Sequence, residues 1–347
     1  MDFRLTDEQQ MLAEMVGQML AETCTGADLR RLLESGEPRD VARWEQIVAL
    51  GLPGTMAPEA AGGIGLGQVE MALIATACGY AALPEPLVEH AGVAVPLLAA
   101  AGVDLGQALS GATVAVGHPR NPFVADADTA DMLLLADGDA VHFVSRDQVT
   151  LVRQPSIDPF RQLFRVEWTP SAHTRIAGGA LWQEALDRGA LFAAAQLLGL
   201  AQRAIDLSVA YTCDRQQFGK PIGSFQAVKH HLANAQVKIE FARPVILAGA
   251  ALPPSSLAQA RISHAKLAAT AAAEAATHAA VQVHGAMGYS WEVDVHFLLK
   301  RSLALGQAWG TPAFHRARVA EHVLSAPLGA DRTFDAGQIE EIRSEAA

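Results

Sequence analysis

The chain has 347 residues, half of them hydrophobic but only 6% aromatic, so it can bury a large core in two or three domains packed mainly by alanine and leucine. Its formal net charge of −11 argues against a nucleic-acid partner, which needs a basic surface, and against an anionic membrane surface. Cys24, Cys78 and Cys213 have neither paired nor metal-ligand spacing, and no signal peptide or membrane-spanning run is read, so a reducing, cytoplasmic setting is expected.

Residues 1–111 read as a helical domain. Thr6 caps a run with apolar residues at Met11, Leu12, Met15, Val16, Met19 and Leu20, a helical spacing. Residues 23–40 read as a charged loop, and a short helix resumes from Trp44 to Leu50. The glycine-rich turn from Pro58 to Gly67 either covers the core or faces a substrate. Residues 68–82 and 86–101 read as two further helices, separated by Pro84 and Pro86.

Between residues 112 and 178 the pattern changes to short strands punctuated by Gly, Asp and Pro, which predicts a compact β domain. The expected strands are Ala112–Val116, Met132–Leu135, Ala140–Ser145, Val149–Val152 and Phe164–Trp168. Residues 179–324 return to helix, with long runs over 180–212, 225–250 and 256–284 and a last helix from about Pro312 to Leu324, as in an antiparallel bundle. Residues 325–347 form a polar tail.

The stretch from Arg215 to Gln226 joins two of the long helices. Gly219, Pro221 and Gly223 break the periodicity, Ser224 suits an N-cap for the run that follows, and Arg215 and Lys220 flank the turn. A guanidinium on a rigid hinge beside glycines suits an anionic ligand, because planar donors match phosphate and glycine admits close approach. On spacing alone, an ordinary interhelical turn with solvated cations is the commoner case. Gln282, ahead of glycines at a helix end, suits a pyrophosphate or adenine, and a plain C-cap at Gly285 is compatible with that. The twelve histidines, including His230-His231, His315 and His322, show no metal-ligand spacing.

The pattern Arg-x-x-Phe-Gly-x-x-Ile-x-x-Phe-Gln, intact as Arg215, Phe218, Gly219, Ile222, Phe225 and Gln226, resembles the flavin-nucleotide motif of the acyl-CoA dehydrogenase family. Other segments agree in order. The opening Met1 to Gln9 is similar to the family's first helix, Gly51 to Gly65 to its glycine-rich loop, and Gln282-Val283-His284-Gly285-Ala286-Met287-Gly288-Tyr289 to its second nucleotide motif. The likeness runs from residue 1 to about residue 324. It implies a mainly α fold with a small β domain: an N-terminal helical domain, a middle β-barrel-like domain and a C-terminal four-helix bundle. It also implies FAD as cofactor, with Arg215, Gln217, Phe218, Gly219, Phe225, Gln226, Gln282, Gly285 and Gly288 binding it. In the family the Arg and the second motif reach across a subunit interface to the ADP part of a neighbour's flavin. The family's Thr-Glu-Pro strand and Trp strand, which cradle the flavin ring, are not recognisable. Gly117-His118-Pro119 lies where the first is expected, and the β domain looks abbreviated.

The chemistry implied is α,β-dehydrogenation of an acyl-CoA, which needs a carboxylate to take the α-proton. The family's usual Glu before Gly-Thr is replaced by Trp309, whose indole only donates. The alternative position on the helix before the Arg motif holds Gly189. Glu184 and Asp187 are near it in sequence but turned away on a helix, and His315 is a candidate only by its closeness to Trp309.

Three readings follow. The favoured one is a subunit of a heteromeric, α2β2 acyl-CoA dehydrogenase whose homologous partner carries the catalytic Glu, similar to paired actinobacterial enzymes acting on steroid side-chain CoA thioesters. An electron-transfer flavoprotein or similar acceptor would take the electrons. The others are a self-sufficient FAD enzyme with a substituted base, and a helical scaffold without cofactor.

Overall fold

The computed structural model describes residues 3–325. Apart from Ser325, the polar tail expected at 325–347 lies outside the described residues. The first helix, α1 (Asp7–Thr23), begins with a reciprocal cap: Thr6 Oγ1 accepts from the Gln9 N–H while Gln9 Oε1 accepts from the Thr6 N–H. Helix α2 (Gly26–Ser35) corrects the expected charged loop. Its charged residues hid an amphipathic turn, because Thr25 and Asp28 cap it, Leu29 and Leu32 are buried, and Gly36 ends it in a left-handed conformation.

The N-terminal region continues with α3 (Val41–Ala49), α4 (Gln68–Ala81), α5 (Leu87–Glu89), a π turn at His90–Ala94, α6 (Val95–Ala100) and α7 (Gly106–Leu109). Arg43 on α3 donates to both oxygens of Glu85, at 2.8 and 2.9 Å, and both side chains are buried. A buried pair of this kind is held in place by the cost of breaking it more than by any net gain from making it.

Seven strands follow: β1 (Val114–Gly117), β2 (Val124–Ala125), β3 (Met132–Asp137), β4 (Ala140–Ser145), β5 (Thr150–Gln154), β6 (Leu163–Glu167) and β7 (Arg175–Ala177). They form a four-stranded sheet in the order β1-β3-β4-β7 and a three-stranded sheet in the order β2-β6-β5. Only β1 and β3 pair in parallel, because the connection between them crosses to the other sheet to supply β2. The five strands expected from the sequence are present, while β2 and β7 are too short for a period of two to register. Alternation on β1 and β3 divides their side chains: Val114, Val116 and Leu134 join the helical core, and Ala115, Leu133 and Leu135 pack with Phe164 in a second cluster.

The C-terminal region comprises α8 (Ala180–Asp214), a two-stranded hairpin of β8 (Gln216–Gln217) and β9 (Lys220–Pro221), α9 (Gln226–Ala250), α10 (Ser256–His284), α11 (Val295–Gln307) and α12 (Pro312–Ser325). Among the described residues the bundle thus has one helix, α11, more than the four expected. Ser224 is not the N-cap of α9: its hydroxyl donates to the Pro221 carbonyl within a 3-10 turn, and Phe225 stands at the cap with no side-chain bond.

Helix α8 is the axis of the fold. It crosses α4 so closely that a Cβ on Gly199 would come within 2.0 Å of the Thr76 carbonyl oxygen, and one on Gly79 within 2.0 Å of that of Gln196. Against the expectation that no run could span a bilayer, α8 is long and apolar enough by length and composition. Most of its apolar stretch is buried inside the protein, so its apolarity serves the core.

Candidate functional site

At its C-terminal end α8 delivers Arg215 into an extended conformation, and the chain folds into the β8–β9 hairpin, with Gln217 opposite Lys220. Phe218 and Gly219 form the tip with φ of +54° and +78°. Two successive left-handed residues are the signature of a type I′ hairpin turn, a place that favours Asn and Gly and strains a phenylalanine. Phe218 is 91% exposed, its ring perpendicular to that of Phe225 with centroids 6.1 Å apart, and Lys220 lies over the Phe225 ring. Arg215, Gln217 and Gln226 are exposed, and Arg215 makes no ion pair among the described residues.

The second motif ends α10. Gln282 is exposed and lines a groove of about 340 Å3 with His231, Asn234, Lys238 and His278. Gly285 closes the helix at φ +59°, and Gly288 is buried against Val281. These residues suit the ADP part of a flavin. They present one unpaired guanidinium, one primary amide and two glycine turns to solvent, where a ligand can reach the backbone.

Near the other end of α8 the picture reverses. The two positions at which the resemblance puts a base, Gly189 and Trp309, meet face to face: a Cβ added to Gly189 would lie 2.1 Å from the Trp309 indole. That indole is 1% exposed. It sits on a backbone at φ +58°, held by its own N–H donating to Asn121 Oδ1 at 2.8 Å and its carbonyl accepting from His315 Nε2 at 3.0 Å. The indole Nε1 donates to Glu89 Oε1 at 3.1 Å. The ring of His118 stands 5.6 Å from it, and His118 in turn packs edge-on against Trp182. The expected place of the Thr-Glu-Pro strand is therefore filled by an aromatic cluster.

The charged candidates are engaged elsewhere. Glu184 pairs with Arg188 at 3.1 Å and Asp187 with Arg318 at 2.8 Å. His315 donates through Nε2, so Nδ1 accepts from Ser263 Oγ at 3.0 Å, and burial, aided by the charge of Lys266, pushes its pKa down to about 4. Burial likewise pushes His118 down to about 4, with Nε2 donating to the Trp182 carbonyl. Both are neutral at pH 7.

Sequence reasoning missed Glu89, Asn121 and Trp182. They come from three separate segments, and no spacing links them to residue 309. Glu89 also borders a small polar cavity with Asp126, Arg161, Gln196 and Arg301. There burial, aided by the charge of Glu89, pushes the Asp126 carboxyl up to about 7.

Residues 6–105 match the family described as "Acyl-CoA dehydrogenase, N-terminal domain", and residues 177–324 the one described as "Acyl-CoA dehydrogenase, C-terminal domain". The chain is 32% identical to "Acyl-CoA dehydrogenase IpdE2" of Mycolicibacterium smegmatis, over 92% of its own length and 100% of that protein's. The crystal structure of the ChsE4-ChsE5 complex from Mycobacterium tuberculosis superposes with a TM-score of 0.82 at 24% identity, covering 94% of this chain and 100% of that one. A Tcur3481-Tcur3483 steroid ACAD variant superposes with a TM-score of 0.79 at 23% identity, covering 91% of this chain and 97% of that one. At these identities the two structures speak to the fold.

Proposed function

The chain belongs to the acyl-CoA dehydrogenase family of FAD-dependent oxidoreductases, and from that premise we propose that it is one subunit of a heteromeric acyl-CoA dehydrogenase. In this reading it lends Arg215 and Gln282 to FAD, and a homologous partner supplies the catalytic Glu. The observation that carries it is the meeting of Gly189 and Trp309: an indole that cannot accept a proton fills the space beside the glycine, and both base positions are without a carboxylate.

The two solved structures named above are of paired chains. That pairing supports an assembly of unlike subunits, which the proposal takes as α2β2 in its simplest form, acting on an acyl-CoA thioester of steroid side-chain type. Bound FAD supplies the hydride acceptor. This chain's part is binding and orientation. The Arg215 guanidinium offers charge-assisted donors to the pyrophosphate, the Gln282 amide bonds the nucleotide, and Gly219 and Gly285 let the ligand approach the backbone. The α-proton is taken by the partner's Glu, and the electrons leave to an electron-transfer flavoprotein or similar acceptor.

Co-expression with a homologous polypeptide that carries the Glu, followed by a flavin count per polypeptide and an acyl-CoA turnover assay with an artificial acceptor, tests the reading. The complex should be yellow and active, and the chain alone should show no α,β-dehydrogenation. General-base catalysis contributes roughly 10² to 10⁴ in rate, so the difference is large. Robust turnover by the chain alone would overturn the reading in favour of a self-sufficient enzyme, with Glu89 and His315 the first residues to mutate.

A further inference from the structure

Arg215 and Gln282 are separated by 67 positions in sequence and stand on different helices. One pair of rings joins their supports. Tyr211, one turn before Arg215, stacks on His284, two residues after Gln282, with ring centroids 4.2 Å apart and planes inclined by 21°. The Tyr211 hydroxyl points to the His284 carbonyl at 3.5 Å, a long contact, so the stacked faces carry most of the interaction. His284 is itself fixed, because Nδ1 donates to the Ala280 carbonyl at 2.7 Å and the side chain is buried. Burial also lowers its pKa, against the preference of a helix C-terminal end for a cation. The hairpin is tied to the same point, since Gly223 lies so close to α8 that a Cβ there would stand 3.0 Å from the Thr212 carbonyl oxygen.

We propose that the Tyr211–His284 stack is a positioning element that locks the Arg215 hairpin and the Gln282 turn into one unit, so that both reach the ADP part of the flavin together. The inference rests on the reading of Arg215 and Gln282 given above. Two contacts on one rigid support bind cooperatively, because the second forms at a high effective concentration once the first is made. Separate supports lose that gain while keeping both side chains.

The test is flavin retention by the assembled complex, measured as released FAD fluorescence at limiting flavin. Tyr211→Leu should weaken retention about tenfold, and Tyr211→Phe, which keeps the ring face, should stay within about twofold of the native complex. The decisive readout is a double-mutant cycle with Arg215→Ala. If Tyr211 acts through Arg215, the double variant should lose clearly less than the product of the two single losses. Full multiplicativity would overturn the inference.

If Tyr211→Leu does not fold, the same cycle is run from the other ring with His284→Leu against His284→Phe. An effect of Arg215→Ala with none from Tyr211→Leu or His284→Leu overturns the positioning role and leaves the functional reading standing. No effect from Arg215→Ala overturns both.

Discussion

At its C-terminal end α8 hands Arg215 and a left-handed phenylalanine to the solvent, whereas near its other end Gly189 lies beneath an indole with every polar atom bonded. The first region keeps strain and unpaired donors, and the second has neither open space nor an unpaired group on Trp309. Left-handed backbone at a non-glycine residue costs about 1 to 2 kcal/mol and is retained where surrounding contacts or a function compensate for it. At the hairpin tip the described residues offer Phe218 little such compensation, which agrees with the proposed ligand-binding role. Trp309 also adopts a left-handed φ, but there the fold itself supplies the compensation, through Asn121, His315 and Glu89.

The comparison can be broken first at the closed end. Trp309→Ala removes a fully buried ring and should cost about 3 to 5 kcal/mol of stability, read by denaturant unfolding. A loss below about 1 kcal/mol would mean that the indole is not the structural filler described here.

Acid sharpens the same contrast. His90, His118 and His315 are buried around the N-terminal core and the closed site, and burial pushes each down to about 4. Their folded pKa values lie below the unfolded value, so the unfolded chain binds more protons between about pH 6.5 and pH 4, and stability falls as pH falls through that window. Each contributes a loss of up to about 2 kcal/mol at pH 5. Asp126, held up to about 7, takes up its proton in the folded state first and offsets part of that loss. A midpoint of thermal unfolding that does not drop between pH 7 and pH 5 would contradict these environments.

At the open end the effects are smaller and fall on ligand binding. Arg215→Ala should leave the fold intact and weaken flavin retention in the complex about ten- to a hundredfold, as expected for a charge-assisted bond of roughly 1.5 to 3 kcal/mol. The least costly change should be Phe218→Asn. Asn suits the first left-handed position of a type I′ turn, so the isolated chain should gain about 1 kcal/mol while flavin retention falls. A gain in both would show the phenyl ring to be idle.

Much of the fold was legible because its signals are local. The Thr6 cap, the runs of α8, α9 and α10 and the five longer strands each declare themselves within a dozen residues. Helix α2 was hidden by its charge, and α11 because the turn from Gly285 into Asp294 gives no plain N-cap. At the site, the motif residues could be named from their order along the chain. The contact of Gly189 with Trp309 could not, since it joins segments 120 positions apart and arises only when α8 and the loop before α12 are brought together.

The reciprocal fit at Gly189 makes two distant positions interdependent. A glycine that leaves a hollow and an indole that fills it form a two-part lock. Placing a carboxylate at residue 189 alone drives a side chain into the ring, and placing one at residue 309 alone leaves a hole against α8 and strands a charge within the core. Either single substitution should destabilise the fold, as denaturant unfolding of the two variants would show. In the proposed reading, a carboxylate at either position would therefore need a compensating change at the other.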